Sequence, residues 1–343
     1  MRAVVYTETG PSSVLHQVDR EAAEPGTGEV RVRIIRSGVN PTDWKSRRGA
    51  APGAALDFPE VVPDQDGAGI VDAVGPDVER LTVGDRVWVM LAQHQRPTGT
   101  AQELTVVPAD RVFPLQENAD FDLGASLGVP AITAHRALTT SEDSPDRLSP
   151  GALVGSTVLV AGGAGAVGNA AIQLAVWAGA TVIATISSDE KATLASAAGA
   201  QHTVNYKQDD TEQRIREIAA DGVHIVVELA PAQNIALDLA VIRPRGTIAI
   251  YANNGGDELS LNVRETFSTN ARFQFVMLYG VGAKALLAAA QDVNAAIADG
   301  ALGVGEKHGL PLHHYPLEQA AQAHQAVEDG IVGKVLIDVS TDG

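Results

Sequence analysis

The strongest chemical signal is a set of glycines in an apolar stretch. In STVLVAGGAGAVGNAAIQLA (156–175), Gly163, Gly165 and Gly168 have the spacing G-x-G-x-x-G. An apolar run rich in β-branched residues precedes them, and a run suited to a helix follows. A tight strand-to-helix turn uses glycine's backbone freedom, and a missing Cβ lets a pyrophosphate approach the chain. The phosphates then meet the free N–H groups and positive dipole end of the helix. Gly163, Ala164, Gly165, Ala166, Val167 and Gly168 are therefore candidate dinucleotide contacts. An ordinary glycine-rich turn without ligand is the alternative, and the strand–turn–helix–strand setting favours the ligand.

The next strand bears on which nucleotide is bound. Sites for NAD place an acid near its end to hold the ribose 2′-OH. Here ATVIATISSDEK ends in Ile186, Ser187 and Ser188, with Lys191 a turn further on. Two hydroxyls and a lysine suit a 2′-phosphate. Ser188 as a plain helix N-cap and Lys191 as a solvated residue are an equally good local reading. Asp189 and Glu190 count against a phosphate unless they point away.

The elements that must position these residues follow from pattern. Up to about residue 125, short β-branched runs such as RAVVY, EVRVRIIRSG and GDRVWVML alternate with turn clusters, as in a small barrel-like β domain. Beyond Gly124 strands and helices alternate: STVLVAGG, the helix after the turn, ATVIATIS, HTVNY, VHIVVELA and GTIAIYA. That alternation predicts βαβ units around a parallel sheet, an α/β fold. RFQFVML predicts one more strand, KALLAAAQDVNAAIADG a helix, and the tail a helix and strand. The tail is expected to fold back onto the first domain, although periodicity alone does not show it. Residues 148–188 carry no charge, but glycines and polar residues break them up, so a membrane span is not expected.

Composition narrows the chemistry. The 343 residues are 45% apolar and 20% charged, which is globular composition, with a formal net charge of −17 that disfavours nucleic acid. There is no cysteine, so thiolate catalysis, disulfides and cysteine-held zinc or iron–sulfur centres are excluded. The first residues lack a basic-then-apolar leader, so a cytoplasmic protein is expected.

Together SGVNPTDWKSRRG (37–49), VPDQDGAGIVDAVG (62–75), LTVGDRVW (81–88), GVPAITAHRAL (128–138), the glycine turn, Lys191, Asn205–Tyr206 and AHQAVEDGIVGKVLI (323–337) carry a resemblance. The chain resembles the medium-chain dehydrogenase/reductase superfamily, and within it the zinc-free quinone oxidoreductases, the ζ-crystallin-like branch, over nearly its whole length. The resemblance implies a GroES-like β-barrel domain over 1–128, completed by 285–343, and a Rossmann domain with a doubly wound parallel sheet over 129–284. It implies NADPH, with the 2′-phosphate held by Ser187, Lys191 and Tyr206. It further implies cofactor contacts at Asn40, Thr133, Tyr251, Asn253 and Lys334, catalysis in a cleft between the domains, and a homodimer joined through sheet edges.

Zinc-dependent members place ligands where this chain has Asn40, Gln65 with Asp66, and Val129, so no metal is expected. Without a Lewis acid, alcohol oxidation is a poor prospect, and the acceptor should already be electrophilic. The reading is an NADPH-dependent quinone oxidoreductase, with Asn40 and Trp44 near the substrate. Asn40 as a loop-stabilising residue and Trp44 as an ordinary half-buried tryptophan are the alternatives. No dedicated acid or base stands out, so solvent is expected to supply the proton. An NADPH-dependent enone or enoyl reductase is the alternative within the family. An NADPH-binding protein with a structural or regulatory role is the alternative of another class.

Overall fold

In a computed structural model, residues 1–340 are described, except for the side chain of Glu265. They form two compact units, one of Met1–Val129 with the described residues from Pro311 onward, the other of Pro130–Leu310. The resemblance implies that the barrel-completing stretch starts at 285. Residues 285–310 instead belong to the second unit, because the helix Ala283–Ala298 packs on the helix that follows the glycine turn.

The first unit opens with a two-stranded antiparallel pair, β1 (Arg2–Val5) and β2 (His16–Asp19). β3 (Glu29–Val39) is its longest strand, and its sequence EVRVRIIRSGV buries alternate residues at first, as a pleated strand with one face on a core must. The helix α1 (Pro41–Arg48) follows at once. β4 (Asp66–Val74), β5 (Arg86–Val89), β6 (Leu104–Pro108) and β7 (Val112–Pro114) continue the sheet by antiparallel pairing. The C-terminal strand Lys334–Asp338 pairs antiparallel with β3, Val335 opposite Val39, so the tail does complete this unit. Val30, Val32, Ile34, Val71, Val87, Val335 and Ile337 share its core.

The second unit holds six parallel strands: β8 (Thr157–Ala161), β9 (Thr181–Ile186), β10 (His202–Asn205), β11 (Val223–Glu228), β12 (Ile242–Ile250) and β13 (Arg272–Phe275). Their spatial order is β10-β9-β8-β11-β12-β13. The chain thus builds outward from β8 on one side, then returns to build from β8 on the other. Such a reversal leaves a crevice at the carboxyl ends of the central strands, where ligands of doubly wound sheets bind. The glycine turn follows β8, at that reversal. The helix Ala166–Trp177 after it is apolar nearly all round and buried from Gly168 to Ala175, which fixes the turn against the sheet. The short helix Val263–Thr269 before β13 had no signal in the periodicity.

Candidate functional site

The glycines of the turn divide into two kinds. A Cβ on Gly168 would stand 2.4 Å from the Gly162 carbonyl oxygen, and one on Gly163 would stand 2.9 Å from the Ala184 side chain. These two glycines are demanded by the fold's own packing. Gly162 has φ +67°, the left-handed region that suits glycine. Gly165 is different. Its φ is −85°, and the nearest atom to a Cβ there is 3.5 Å away. Among the described residues nothing requires glycine at 165, and the approach to the turn there is open.

Gly165 is also the N-cap of the helix, and it has no side chain to satisfy the first N–H groups. The first described α-helical bond at this end runs from Asn169 N to Gly165 O, 2.8 Å. The amides of Ala166, Val167 and Gly168 precede it. Bare amides, a positive dipole end and an unobstructed approach suit a pyrophosphate.

At the end of β9, Ser188 is the N-cap of the helix Asp189–Ala197, its hydroxyl accepting from Lys191 N at 3.3 Å. Ser188 therefore takes the capping role, and Ser187 is the hydroxyl left for a ligand. Tyr206 lies beside it, because Asn205 of β10 pairs with Ile186 and Tyr206 N donates to Ile186 O. Tyr206 is 53% exposed, so its ring is available. Lys191 is half-buried with no ion-pair partner among the described residues, and Asp189 and Glu190 are exposed. Lys207, next to Tyr206 and exposed, was missed by sequence reasoning; it brings a second cation to this corner.

Further contacts assigned from the resemblance fall in two places. In the second unit Thr133 is buried in the helix Gly128–Leu138. Tyr251 and Asn253 follow β12, and Tyr251 N donates to Glu228 O at 3.0 Å. Burial, then the charge of Glu228, pushes the Tyr251 phenol upward. Glu228 itself is fully buried at the end of β11 and accepts from Asn234 Nδ2 at 3.1 Å and from Ala230 N. Burial, followed by the Glu228 charge, drives the buried Asp238 carboxyl well above the carboxylate range. Burial and the neighbouring Glu228 charge thus favour the protonated form of Asp238. Asp238 within the apolar run QNIALDLAVI was the available signal for this pair.

Lys334 and Asn40 sit in the first unit and engage each other. Lys334 Nζ donates to Asn40 Oδ1 at 2.7 Å and Val39 O at 3.3 Å, and stands 3.8 Å from Asp66. Asn40 Nδ2 donates to Asp66 at 2.7 Å and Gly38 O at 3.2 Å. Both donors and the acceptor of the Asn40 amide are thus engaged, the loop-stabilising role named above as its alternative. Asp66 also accepts from Val129 N at 2.9 Å. Burial raises the Asp66 carboxyl to about 6, with Lys334, the Val129 amide and Asn40 all opposing it. Asp43 accepts from Asn40 N (2.7 Å) and Gln65 N (3.2 Å). Trp44 is half-buried, and its indole Nε1 has no hydrogen-bond partner among the described residues.

The family's zinc does not fit these residues. An amide, a glutamine and a valine occupy the matching positions, and Asp66 is committed to Asn40, Val129 and Lys334. Among the described residues no group of three or more His, Cys, Asp or Glu could hold a metal.

A β-barrel unit and a doubly wound unit with an open glycine turn, on one chain, are the two parts of a nucleotide-dependent oxidoreductase architecture. Known sequences agree. Residues 26–117 match the alcohol dehydrogenase GroES-like domain, and residues 166–294 the family described as zinc-binding dehydrogenase. The quinone oxidoreductase of Rattus norvegicus is 30% identical over 344 residues, 98% of this chain and 97% of that one. A 2-haloacrylate reductase from a Burkholderia species is 29% identical, covering 95% of this chain and 94% of that one. Among solved structures, mycobacterial Rv1454c complexed with NADPH superposes with a TM-score of 0.81, at 29% identity, covering 98% of this chain and 99% of that one. The chain belongs to the quinone oxidoreductase branch of the medium-chain dehydrogenase/reductase superfamily.

Proposed function

We propose that the protein is an NADPH-dependent, metal-independent quinone reductase. The observation that carries this reading is Gly165, a glycine the fold does not need, at the N-terminus of a buried helix at the sheet's reversal point. NADPH, when bound, supplies the hydride, and a quinone accepts it with a proton from solvent to give the hydroquinone. The amides of Ala166–Gly168 hold the pyrophosphate. Ser187, Lys191 and Tyr206 hold the 2′-phosphate, with Lys207 adding charge. Thr133, Tyr251 and Asn253 are proposed to contact the remainder of the nucleotide, and Trp44 a flat acceptor.

The donor set around Asn40 offers no Lewis acid to polarise an unactivated carbonyl, which favours acceptors that are electrophilic on their own. The Burkholderia relative, named for an activated alkene, keeps a C=C reductase as the second reading. The deciding experiment is NADPH oxidation with 1,4-benzoquinone or 9,10-phenanthrenequinone, compared with a simple enone. Turnover confined to the enone would replace the quinone reading. Tight NADPH binding with no turnover on any acceptor would favour a non-catalytic role.

We further propose a homodimer through β13. Among the described residues this strand forms the outer edge of its sheet, paired with β12 alone, and Phe275 at its end and Met277 just after it are 63% and 68% exposed. A bare strand edge with exposed apolar neighbours is a template for pairing.

A further inference from the structure

We propose that Asn254 is a site of spontaneous deamidation that places a new negative charge at the carboxyl edge of the nucleotide-binding sheet. Asn254 is the one asparagine in the sequence followed by glycine. The reaction is closure of a five-membered ring. The Gly255 amide nitrogen loses its proton and attacks the Asn254 side-chain carbonyl carbon, a C–N bond forms, and ammonia leaves. Water then opens the cyclic imide on either side, to aspartate or to isoaspartate, with no oxidant or reductant. A glycine after the asparagine removes the Cβ that would obstruct the approach.

Three structural features favour the step here. Asn254, Gly255 and Gly256 are all exposed, so water and hydroxide reach them. The Asn254 carboxamide and the Gly255 N–H have no hydrogen-bond partner among the described residues, so neither must be released first. The segment lies outside any helix or strand and is tied by Asn254 N to Leu229 O, 2.9 Å, and by Gly256 N to Asn253 O, 3.2 Å. Among the other asparagines, Asn40, Asn169 and Asn205 are buried, and none precedes a glycine.

The position gives the modification a consequence, and this half rests on the NADPH reading above. Residues 251–257 follow β12 at the same edge of the sheet as the glycine turn after β8. The bond to Leu229 O ties this loop to the segment after β11. A carboxylate at 254 joins Asp257 and Glu258 in repelling the phosphates. Isoaspartate would in addition lengthen the backbone by one atom between Asn253, itself a candidate contact, and Gly255.

The test is to hold the purified full chain at pH 9 and 37 °C, beside a synthetic peptide of residues 249–259, with Asn254→Gln as control. Peptide mapping should find a gain of about 1 Da at position 254, as aspartate and isoaspartate, absent from the Gln variant. Conversion of the peptide while the protein keeps its asparagine would overturn the site. Separately, Asn254→Asp should weaken NADPH about two- to fivefold at low salt, the scale of one exposed charge interaction, and less at high salt. Unchanged affinity would overturn the consequence. Wild type that binds no NADPH would instead overturn the nucleotide reading, and the mapping result would stand apart from it.

Discussion

Separating the glycine proposed to serve the ligand from those demanded by the fold gives a three-variant ladder. Gly165→Val has an extended backbone, φ −85° and ψ 163°, which a β-branched residue adopts readily, and open space around its Cβ. Its cost to folding is the loss of a favourable N-cap residue, about 1 kcal/mol. Its cost to binding is larger. The valine methyls occupy the approach to the Ala166–Gly168 amides, and each charge-assisted hydrogen bond to phosphate is worth about 1.5–3 kcal/mol. Losing two removes about 3–6 kcal/mol, or about a hundred- to ten-thousandfold in affinity. Gly168→Ala reverses the balance, because its Cβ meets the Gly162 oxygen at 2.4 Å. Overpacking of that kind costs about 1–3 kcal/mol in stability, and binding falls only as the turn shifts. Gly163→Ala, meeting side chains at 2.9 and 3.0 Å, falls between. Calorimetric NADPH titration and thermal melts of the three variants decide the matter. A Gly165→Val protein that binds NADPH like wild type removes the turn from the site, and one that fails to fold refutes the claim that the space is open.

Lys191→Ala should weaken NADPH about tenfold or more and leave NADH nearly unchanged, with Lys191→Ala/Lys207→Ala losing more, as titrations of both nucleotides would reveal. An equal loss for NADH would assign the lysines to the fold. Asp238→Asn should flatten the pH dependence of stability. In wild type the folded state holds a proton that the unfolded chain releases near the ordinary carboxyl value, so stability falls as pH rises from there to the raised Asp238 value. Urea midpoints between pH 4 and 8 should drop less in the variant, and parallel curves would show that Asp238 holds no proton in the folded state. Quinone reductase activity should survive exhaustive chelation, and activity restored only by zinc would contradict the donor assignment at Asn40, Gln65 and Val129. Phe275→Lys should convert a dimer to monomer in light scattering, and an unchanged mass would place the contact elsewhere.

What the sequence made legible is what local chemistry dictates. The strand–turn–helix around 156–175 could be read because β-branched runs, glycine spacing and an apolar helix are all local. The return of the C-terminal tail to the first unit was expected from the resemblance, since periodicity alone does not show it. Its register, Val335 on Val39, depends on partners nearly three hundred residues apart. The division of labour among the glycines was invisible, since Gly163, Gly165 and Gly168 look alike until their neighbours are placed. Asp238 in an apolar run signalled a buried acid, but its partner Glu228, like the partner of Asp64, His324 at 2.9 Å, was out of reach. Each pair joins residues on separate segments, which no local pattern relates.

The first unit shows why its discontinuous sequence matters to the chemistry. Asp43, Asp64 and Asp66 are each no more than 3% exposed, and buried carboxylates are costly unless paired or hydrogen-bonded. Asp43 has two backbone amides, and Asp64 has Ser37 and His324. Asp66 has the Val129 amide and Asn40, and the nearest full positive charge is Lys334, delivered by the C-terminal strand. Gly38 makes this possible, since a Cβ there would stand 3.1 Å from Lys334 Cε and 2.0 Å from the Ala125 oxygen. An ammonium from the tail thus compensates the acidic cluster at the positions where zinc-dependent relatives gather ligands. The counter-charge is built into the fold and fixes the Asn40 loop. Lys334 is 2% exposed and bonded to Asn40, so its charge is held in place against the acidic cluster.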